Sequence, residues 1–201
     1  KKEFFCATKI WTPNSWHGKV QFKNSKELMG LEKIKLLQVH NLVNYQKHLD
    51  YMYELKEKKL IKYIGVTTSH ERRHDELKRI LQTYDLDFVQ LTYNLIDRKC
   101  EKFLLPLAKE KGIAVIANRP FQGGNLFAIK KNTKLPNWCK ELKINSWPEL
   151  FLKYVISNPS ISCAIPATSK KKHMEENMKS LYGNLLNNEQ RNKLEIFVKN
   201  F

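Results

Sequence analysis

Six short apolar runs punctuate the chain: Phe4 to Thr8, Ile34 to Val39, Tyr63 to Val66, Phe88 to Leu91, Ile113 to Ala117 and Ile161 to Ile165. Each has the length of a β-strand, and helical periodicity fills the stretches between them. Leu77, Ile80, Leu81 and Tyr84 repeat at helical spacing and share one face, and Phe103, Leu104, Leu107 and Ala108 do the same. Ser146-Trp147-Pro148-Glu149 predicts a capping box, in which the serine hydroxyl accepts from a first-turn amide while the glutamate reaches back to the cap residue. The helix it opens is expected to bury Phe151, Leu152, Val155 and Ile156. Met174, Met178 and Leu181 mark the apolar face of another helix, and Leu194, Phe197, Val198 and Phe201 that of a closing one.

The middle strands start roughly twenty-five residues apart, the length of a strand, a loop and a crossover helix in a parallel sheet. Near-continuous apolar strands such as Ile113-Ala114-Val115-Ile116-Ala117 belong where both sheet faces are covered, in doubly wound sheets or in closed barrels. Periodicity does not separate those two. No strand is followed by G-x-G-x-x-G, which weakens the doubly wound reading. The stretch from Gln122 to Asn145 has little periodicity and carries Gly, Pro and Trp, so it reads as a long loop after the fifth strand, where sites are commonly built.

Composition adds limits. The 201 residues are 42% hydrophobic, enough for a sizeable core and for one domain spanning residues 1–201. No run approaches the roughly eighteen apolar residues of a membrane span, and Lys1 to Phe5 lack the hydrophobic block of a secretory signal, so a cytoplasmic protein without membrane partners is expected. Cys6, Cys100, Cys139 and Cys163 are widely separated, without metal-ligand spacing, and read as reduced thiols. Lys and Arg total 36 against 20 Asp and Glu, a net +16 that favours polyanions. The charge alternates with acidic neighbours, as in Glu54-Leu55-Lys56-Glu57, and no nucleic-acid signature accompanies it.

Several segments taken together resemble the aldo/keto reductase family: Ala7-Thr8-Lys9-Ile10-Trp11, Leu36-Leu37-Gln38-Val39-His40-Asn41, Tyr63-Ile64-Gly65-Val66-Thr67, Phe88-Val89-Gln90-Leu91-Thr92-Tyr93-Asn94, Gly112 to Pro120, and Ile165-Pro166-Ala167-Thr168-Ser169 followed by Glu176-Asn177. Singly each is weak; six in the family's order cover nearly the whole chain. The resemblance implies an α/β fold, a (β/α) TIM-type barrel with about six of eight βα units present, and NADP-dependent reduction of a small-molecule aldehyde or ketone. In the family's mechanism the nicotinamide delivers hydride while a tyrosine protonates the carbonyl oxygen, a lysine and an aspartate tune that tyrosine, and a histidine orients the carbonyl.

By resemblance the lysine is Lys9 and the histidine His40. A phenol is a poor acid at neutral pH unless a nearby cation stabilises its anion, which is work a lysine can do. Gln90, Thr67 and Thr68 match positions that hold the nicotinamide carboxamide. Asn118 and Arg119 fall where the family commonly has an aromatic and a serine; asparagine offers no stacking face, so either Phe121 or the Arg119 guanidinium substitutes, or nicotinamide binding is weaker here. Thr168, Ser169 and Lys170 open a basic turn at a helix N-terminus, a place that attracts phosphate, and in the family this region grips the adenosine 2′-phosphate of NADPH. Glu176 and Asn177 match adenine contacts, and Trp11 and Asn41 are candidates to line the substrate pocket.

The family's first two βα units, with its aspartate and tyrosine, have no counterpart here, and Tyr45, Tyr63 and Tyr93 do not stand at the acid's place. A chain of six such strands alone is expected to leave two unpaired edges and to be marginal or prone to aggregate. Two other readings stay open at this point: a non-catalytic relative that binds the nicotinamide cofactor, and a basic protein that recruits nucleic acid.

Overall fold

The computed structural model describes residues 4–69, 71–130 and 133–199. Phe201, expected on the closing helix, lies outside them. The elements alternate as β1 (Ala7–Ile10), α1 (Ser15–Met29), β2 (Ile34–Val39), α2 (Tyr45–Glu57), β3 (Ile61–Thr67), α3 (His74–Thr83), β4 (Phe88–Thr92), α4 (Leu104–Glu110), β5 (Ala114–Asn118), α5 (Phe127–Lys130), α6 (Trp147–Ile156), β6 (Cys163–Ala164), α7 (Lys171–Lys179) and α8 (Asn188–Lys199). Two compact units result, Lys1–Leu91 with Leu107–Ala114, and Thr92–Pro106 with Val115–Phe201.

In the first unit β1 to β4 pair in chain order, all parallel. Laterally paired residues point to the same side of a sheet, so the registers define rows. Ile10, Val39, Val66 and Val89 form one row, and all four are fully buried. The opposite face carries Lys9, Gln38, Gly65 and Phe88 side by side, and one step along it Thr67 beside Gln90. One face therefore supplies hydrophobic stabilisation, while polar groups gather on the other toward the strands' C-terminal ends.

Gly65 is required in its row, because a Cβ there would stand 2.4 Å from the Phe88 carbonyl oxygen. Asp87 ties the strands at their start: its Oδ2 accepts from the Ile64 amide at 2.9 Å and from the Lys56 ammonium at 2.6 Å. The helices follow their sequence patterns. Asn14 caps α1 by accepting from the His17 amide at 3.0 Å, and α1 ends at Gly30 in the left-handed region (φ 60°). Leu49, Met52 and Leu55 bury one face of α2, as Leu77, Ile80 and Leu81 do for α3.

β1 starts later than the apolar run Phe4 to Thr8 implies. Phe4 and Phe5 are 83% and 51% exposed, and pairing begins where the Cys6 carbonyl accepts from the Lys35 and Leu36 amides. Phe5 packs instead on the rings of Tyr63 and Phe88 at 6.0 and 5.8 Å. The shift brings Lys9 inside the strand rather than to its solvated end.

In the second unit β5 and β6 pair in parallel, Ile116 with Cys163 and Ala117 with Ala164. β6 is only two residues of the expected run, because Asn158 folds the start of it into a turn by accepting from the Ser160 and Ile161 amides. Helix α6 is buried nearly all round, and its capping differs in one detail from the capping box. Ser146 accepts from the Glu149 amide at 3.4 Å, but the Glu149 carboxylate accepts from the Asn145 amide at 3.0 Å, one residue earlier than the cap. Leu194 and Val198 bury one side of α8, and Phe197 stacks on Trp147 at 5.7 Å. The described residues of the Gln122–Asn145 stretch form short helical turns and bury the side chains of Leu126, Cys139 and Ile144.

The apolar face of α7 lies outward: Met174, Met178 and Leu181 are exposed, and the buried residue of that helix is Asn177. Periodicity finds the shared face here, and packing decides which side of the helix is covered.

Candidate active site

Lys9 and His40 come together in the first unit. Lys9 lies in β1 beside Gln38 of β2, and His40 follows Val39, the last residue of β2. Burial lowers the Lys9 ammonium from its usual pKa. His40 is lowered by burial first and by the Lys9 charge second, so its neutral imidazole is favoured. The Trp11 ring lies 4.9 Å from the His40 ring, tilted by 60°. Gln21 of α1 holds Trp11 in place through both backbone groups: its Oε1 accepts from the Trp11 amide at 2.8 Å and its Nε2 donates to the Trp11 carbonyl at 3.1 Å.

The polar residues around this pair are mostly spent on the scaffold. The Asn41 amide donates to Thr67 Oγ1 at 3.1 Å, its carbonyl accepts from Arg73, and its side-chain oxygen accepts from the Ser69 hydroxyl at 3.3 Å. Asn41 adopts φ 51°, in the left-handed region that asparagine tolerates. The Thr68 amide donates to the Gln90 carbonyl at 2.9 Å, and both threonines and Gln90 are buried. Two atoms depart from this economy: Gln38 Nε2 and His40 Nδ1 are buried and have no hydrogen-bond partner among the described residues. Gln38 and Arg73 are absent from the candidates that the sequence suggests. Gln38 hides inside the apolar run Leu36 to Val39, and only the two-residue alternation shared with His40 marks it.

A neutral imidazole beside a poorly solvated ammonium is suited to stabilising negative charge that develops on an oxygen. None of the chain's described groups of His, Cys, Asp and Glu could hold a metal. One opening of this unit, about 420 Å³, is lined by Lys33, Lys35, Lys56, Lys59 and Lys62 around the starts of β2 and β3, at the opposite strand ends from His40.

In the second unit, Phe121, Thr168, Glu176 and Asn177 line one cavity of about 200 Å³. Phe127, Pro148, Ala167 and His173 complete its wall. His173 is legible in retrospect, since His173, Glu176 and Asn177 share one face of α7 at helical spacing. Ser169 and Lys170 do not line it; the Lys170 amide donates to Thr168 Oγ1 at 3.1 Å in the turn before α7. Asn118 is committed elsewhere, its Oδ1 accepting from the Thr92 hydroxyl at 2.8 Å. Arg119 sits at φ 51° with its guanidinium against Gly123, whose added Cβ would stand 3.3 Å from Arg119 Nη2. Phe121 packs on Phe127 at 5.0 Å, and both rings reach the cavity.

Tyr93 belongs to a buried network in the same unit. Its hydroxyl donates to Glu101 at 2.5 Å and accepts from Asn158 at 3.0 Å and from Arg191 at 2.8 Å. Arg191 also donates to the Tyr154 carbonyl at 2.6 Å and lies over the Tyr154 ring at 4.3 Å. Burial, against the opposing pull of Arg191, pushes the Tyr93 phenol up to about 12, the wrong direction for an acid at neutral pH.

Parallel βα units with polar groups gathered at the strands' C-terminal ends define a protein of the (β/α)-barrel kind. The profile of the Aldo/keto reductase family matches residues 1–199, and the chain belongs to that family. An uncharacterized oxidoreductase of Schizosaccharomyces pombe is 33% identical over 178 residues, 84% of this chain and 56% of that protein. The NADH-specific methylglyoxal reductase of Escherichia coli is 30% identical over 102 residues, 51% of this chain and 30% of that protein. The chain thus spans little more than half the length of the first of these relatives. Among solved structures, an aldo/keto reductase from Klebsiella pneumoniae in complex with NADP and acetate superimposes with a TM-score of 0.78 at 21% identity, covering 96% of this chain and 69% of that one. A second Klebsiella structure, in complex with NADPH, gives 0.77 at 22% identity with the same coverage. These likenesses establish the fold as that of the aldo/keto reductase barrel. Among the described residues no helix is long and apolar enough to cross a membrane.

Proposed function

We propose that the protein is an NADP-dependent oxidoreductase that reduces a small aldehyde or ketone. The observation that carries this reading is the pairing of Lys9 with His40 at the strand mouth, in a chain of this family, with burial acting on both and the Lys9 charge on His40 to disfavour their charged forms. The relatives agree in kind: one is named an oxidoreductase, one a methylglyoxal reductase, and two related structures hold NADP or NADPH.

Each unit, taken by itself, carries groups that fit part of a nicotinamide dinucleotide. The Gln38 and His40 atoms without partners lie on the face that carries Gln90 and Thr67, and the second unit, by itself, offers a cavity with two phenylalanines, one carboxylate and one carboxamide besides a basic turn. When bound, NADPH would supply the hydride, and water would supply the proton that completes the alcohol. Lys9 stabilises negative charge near the reacting oxygen, and His40, neutral, donates a hydrogen bond that orients the carbonyl. Thr67, Thr68 and Gln90 shape the polar floor on which the carboxamide rests, with Trp11 and Asn41 at the substrate side. Phe121 lines the same cavity as Glu176 and Asn177 and offers its ring there, while Arg119 stays with Gly123. Thr168, Ser169 and Lys170 present the turn for the adenosine phosphate, and Glu176 and Asn177 meet the adenine.

The test is loss of NADPH absorbance with methylglyoxal and a panel of aldehydes, after NADPH binding has been measured by quenching of tryptophan fluorescence. Binding with turnover is expected. Binding without turnover of any carbonyl would point to a non-catalytic relative, and absence of both would remove the proposal.

A further inference from the structure

Gln38 is 1% exposed, and its Nε2 is one of the few buried polar side-chain atoms without a partner among the described residues. His40 Nδ1 is another. The two residues are separated by Val39 alone, whose backbone is extended (φ −80°, ψ 121°), so both side chains leave the same side of β2. Leaving a buried amide donor and a buried imidazole nitrogen both unsatisfied is destabilising, and each is the chemical complement of the other.

We propose that Gln38 is a positioning residue for His40: its carboxamide N–H donates to one bridging water that in turn donates to His40 Nδ1, and this fixes the proton of the neutral ring on Nε2. This rests on the proposed reaction only for its purpose, since an Nε2–H is what a carbonyl oxygen would accept from. The bond also explains why a glutamine is buried in an otherwise apolar run: with Lys9 lateral to it, a carboxylate there would pair with the ammonium and a leucine would leave the ring free to hold its proton on either nitrogen. Trp11 covers one side of the ring, so orientation and tautomer are set from different directions.

Long-range proton–nitrogen NMR on the labelled chain decides the matter, with the His40 signals identified by their loss in His40→Gln. His40 Nδ1 is expected as the unprotonated nitrogen, with its resonance shifted by an accepted hydrogen bond. In Gln38→Met, which matches the side chain's length but cannot donate, that resonance moves to the position of a free acceptor or the tautomer ratio changes. In Gln38→Glu the carboxylate accepts instead, so Nδ1 becomes protonated. An unchanged His40 spectrum in Gln38→Met overturns the proposal. So does a protonated Nδ1 in the unsubstituted neutral ring, a result that needs no variant to fold. If the tautomer behaves as stated and no carbonyl is turned over, the assignment of Gln38 stands and the proposed reaction fails.

Discussion

The two units of this chain treat buried polarity in opposite ways. In the second, Tyr93, Glu101, Asn158 and Arg191 satisfy one another, and Arg98 pairs with Glu195, which also accepts from the Tyr154 hydroxyl at 2.7 Å. In the first, Lys9 and His40 are driven from their charged forms, and two neighbouring polar atoms are left without partners. A satisfied network stabilises and specifies a core; an unsatisfied one costs stability and remains available to a ligand. The difference separates structure from chemistry more sharply than burial does, since Tyr93 and Gln38 are about equally inaccessible.

The largest expected effect lies on the unsatisfied side. Lys9→Met should lower kcat for a reduced aldehyde by about two to four powers of ten, with urea stability unchanged or raised, because a desolvated ammonium is replaced by an apolar chain of similar length. Steady-state rates and a urea melt on the same preparation check it. A variant that loses stability and keeps its rate would reverse the comparison. Next comes the satisfied side. Arg191→Met removes the cation from Glu101 and the donor from Tyr93, and breaking a buried pair on one side costs about 3–5 kcal/mol. The urea midpoint should fall accordingly, while the His40 resonances stay in place.

How far each region is legible in the sequence follows from the range of its interactions. Lys9, His40 and Thr67 stand at the ends of apolar runs, and strand alternation with a regular repeat brings such residues to one mouth, whereas Gln90 lies inside the run Phe88 to Leu91 and is picked out by the family resemblance alone. Glu176 and Asn177 are adjacent on one helix face. Gln38 is missed because an apolar run conceals a single polar member until the register with Lys9 is known. The Tyr93–Arg191 contact joins residues 98 positions apart, and no local pattern announces it. The α7 stripe is only half legible for a related reason: periodicity says that Met174, Met178 and Leu181 share a face, whereas tertiary packing decides whether that face or the one holding Asn177 is buried. Charge is similarly uninformative, since the lysine-lined opening at the starts of β2 and β3 lies away from every candidate.

Alkaline pH offers a probe of the network. The Tyr93 phenol is raised from its ordinary 10 to about 12, so between these values the folded chain binds more protons than the unfolded one. Stability must therefore fall as pH rises through that window, by about 3 kcal/mol at 1.36 kcal/mol per pH unit. Tyr93→Phe should flatten the alkaline limb in part only, because Tyr154 is raised as well by its burial and adds the same sign. A limb of unaltered slope in Tyr93→Phe would remove Tyr93 from the network's titration.

The smallest effect has the opposite sign in pH and belongs to His40. Its folded-state pKa lies below the ordinary 6.5, so as pH drops past that value the unfolded chain takes up a proton that the folded chain refuses. Stability then declines on the acid side, over a window above that in which Glu195, lowered chiefly by its bonds to Tyr154 and Arg98 against the cost of burial, begins to titrate. The ring is only partly buried, so solvent screening keeps the change small, and it is best read as a difference between the chain and His40→Gln in urea melts across pH 5 to 7. The decline should weaken in His40→Gln and also in Lys9→Met, because the Lys9 charge is the second cause of the depression. If Lys9→Met leaves the acid limb as it was, burial alone holds His40 neutral, and the two residues share a mouth without sharing a charge.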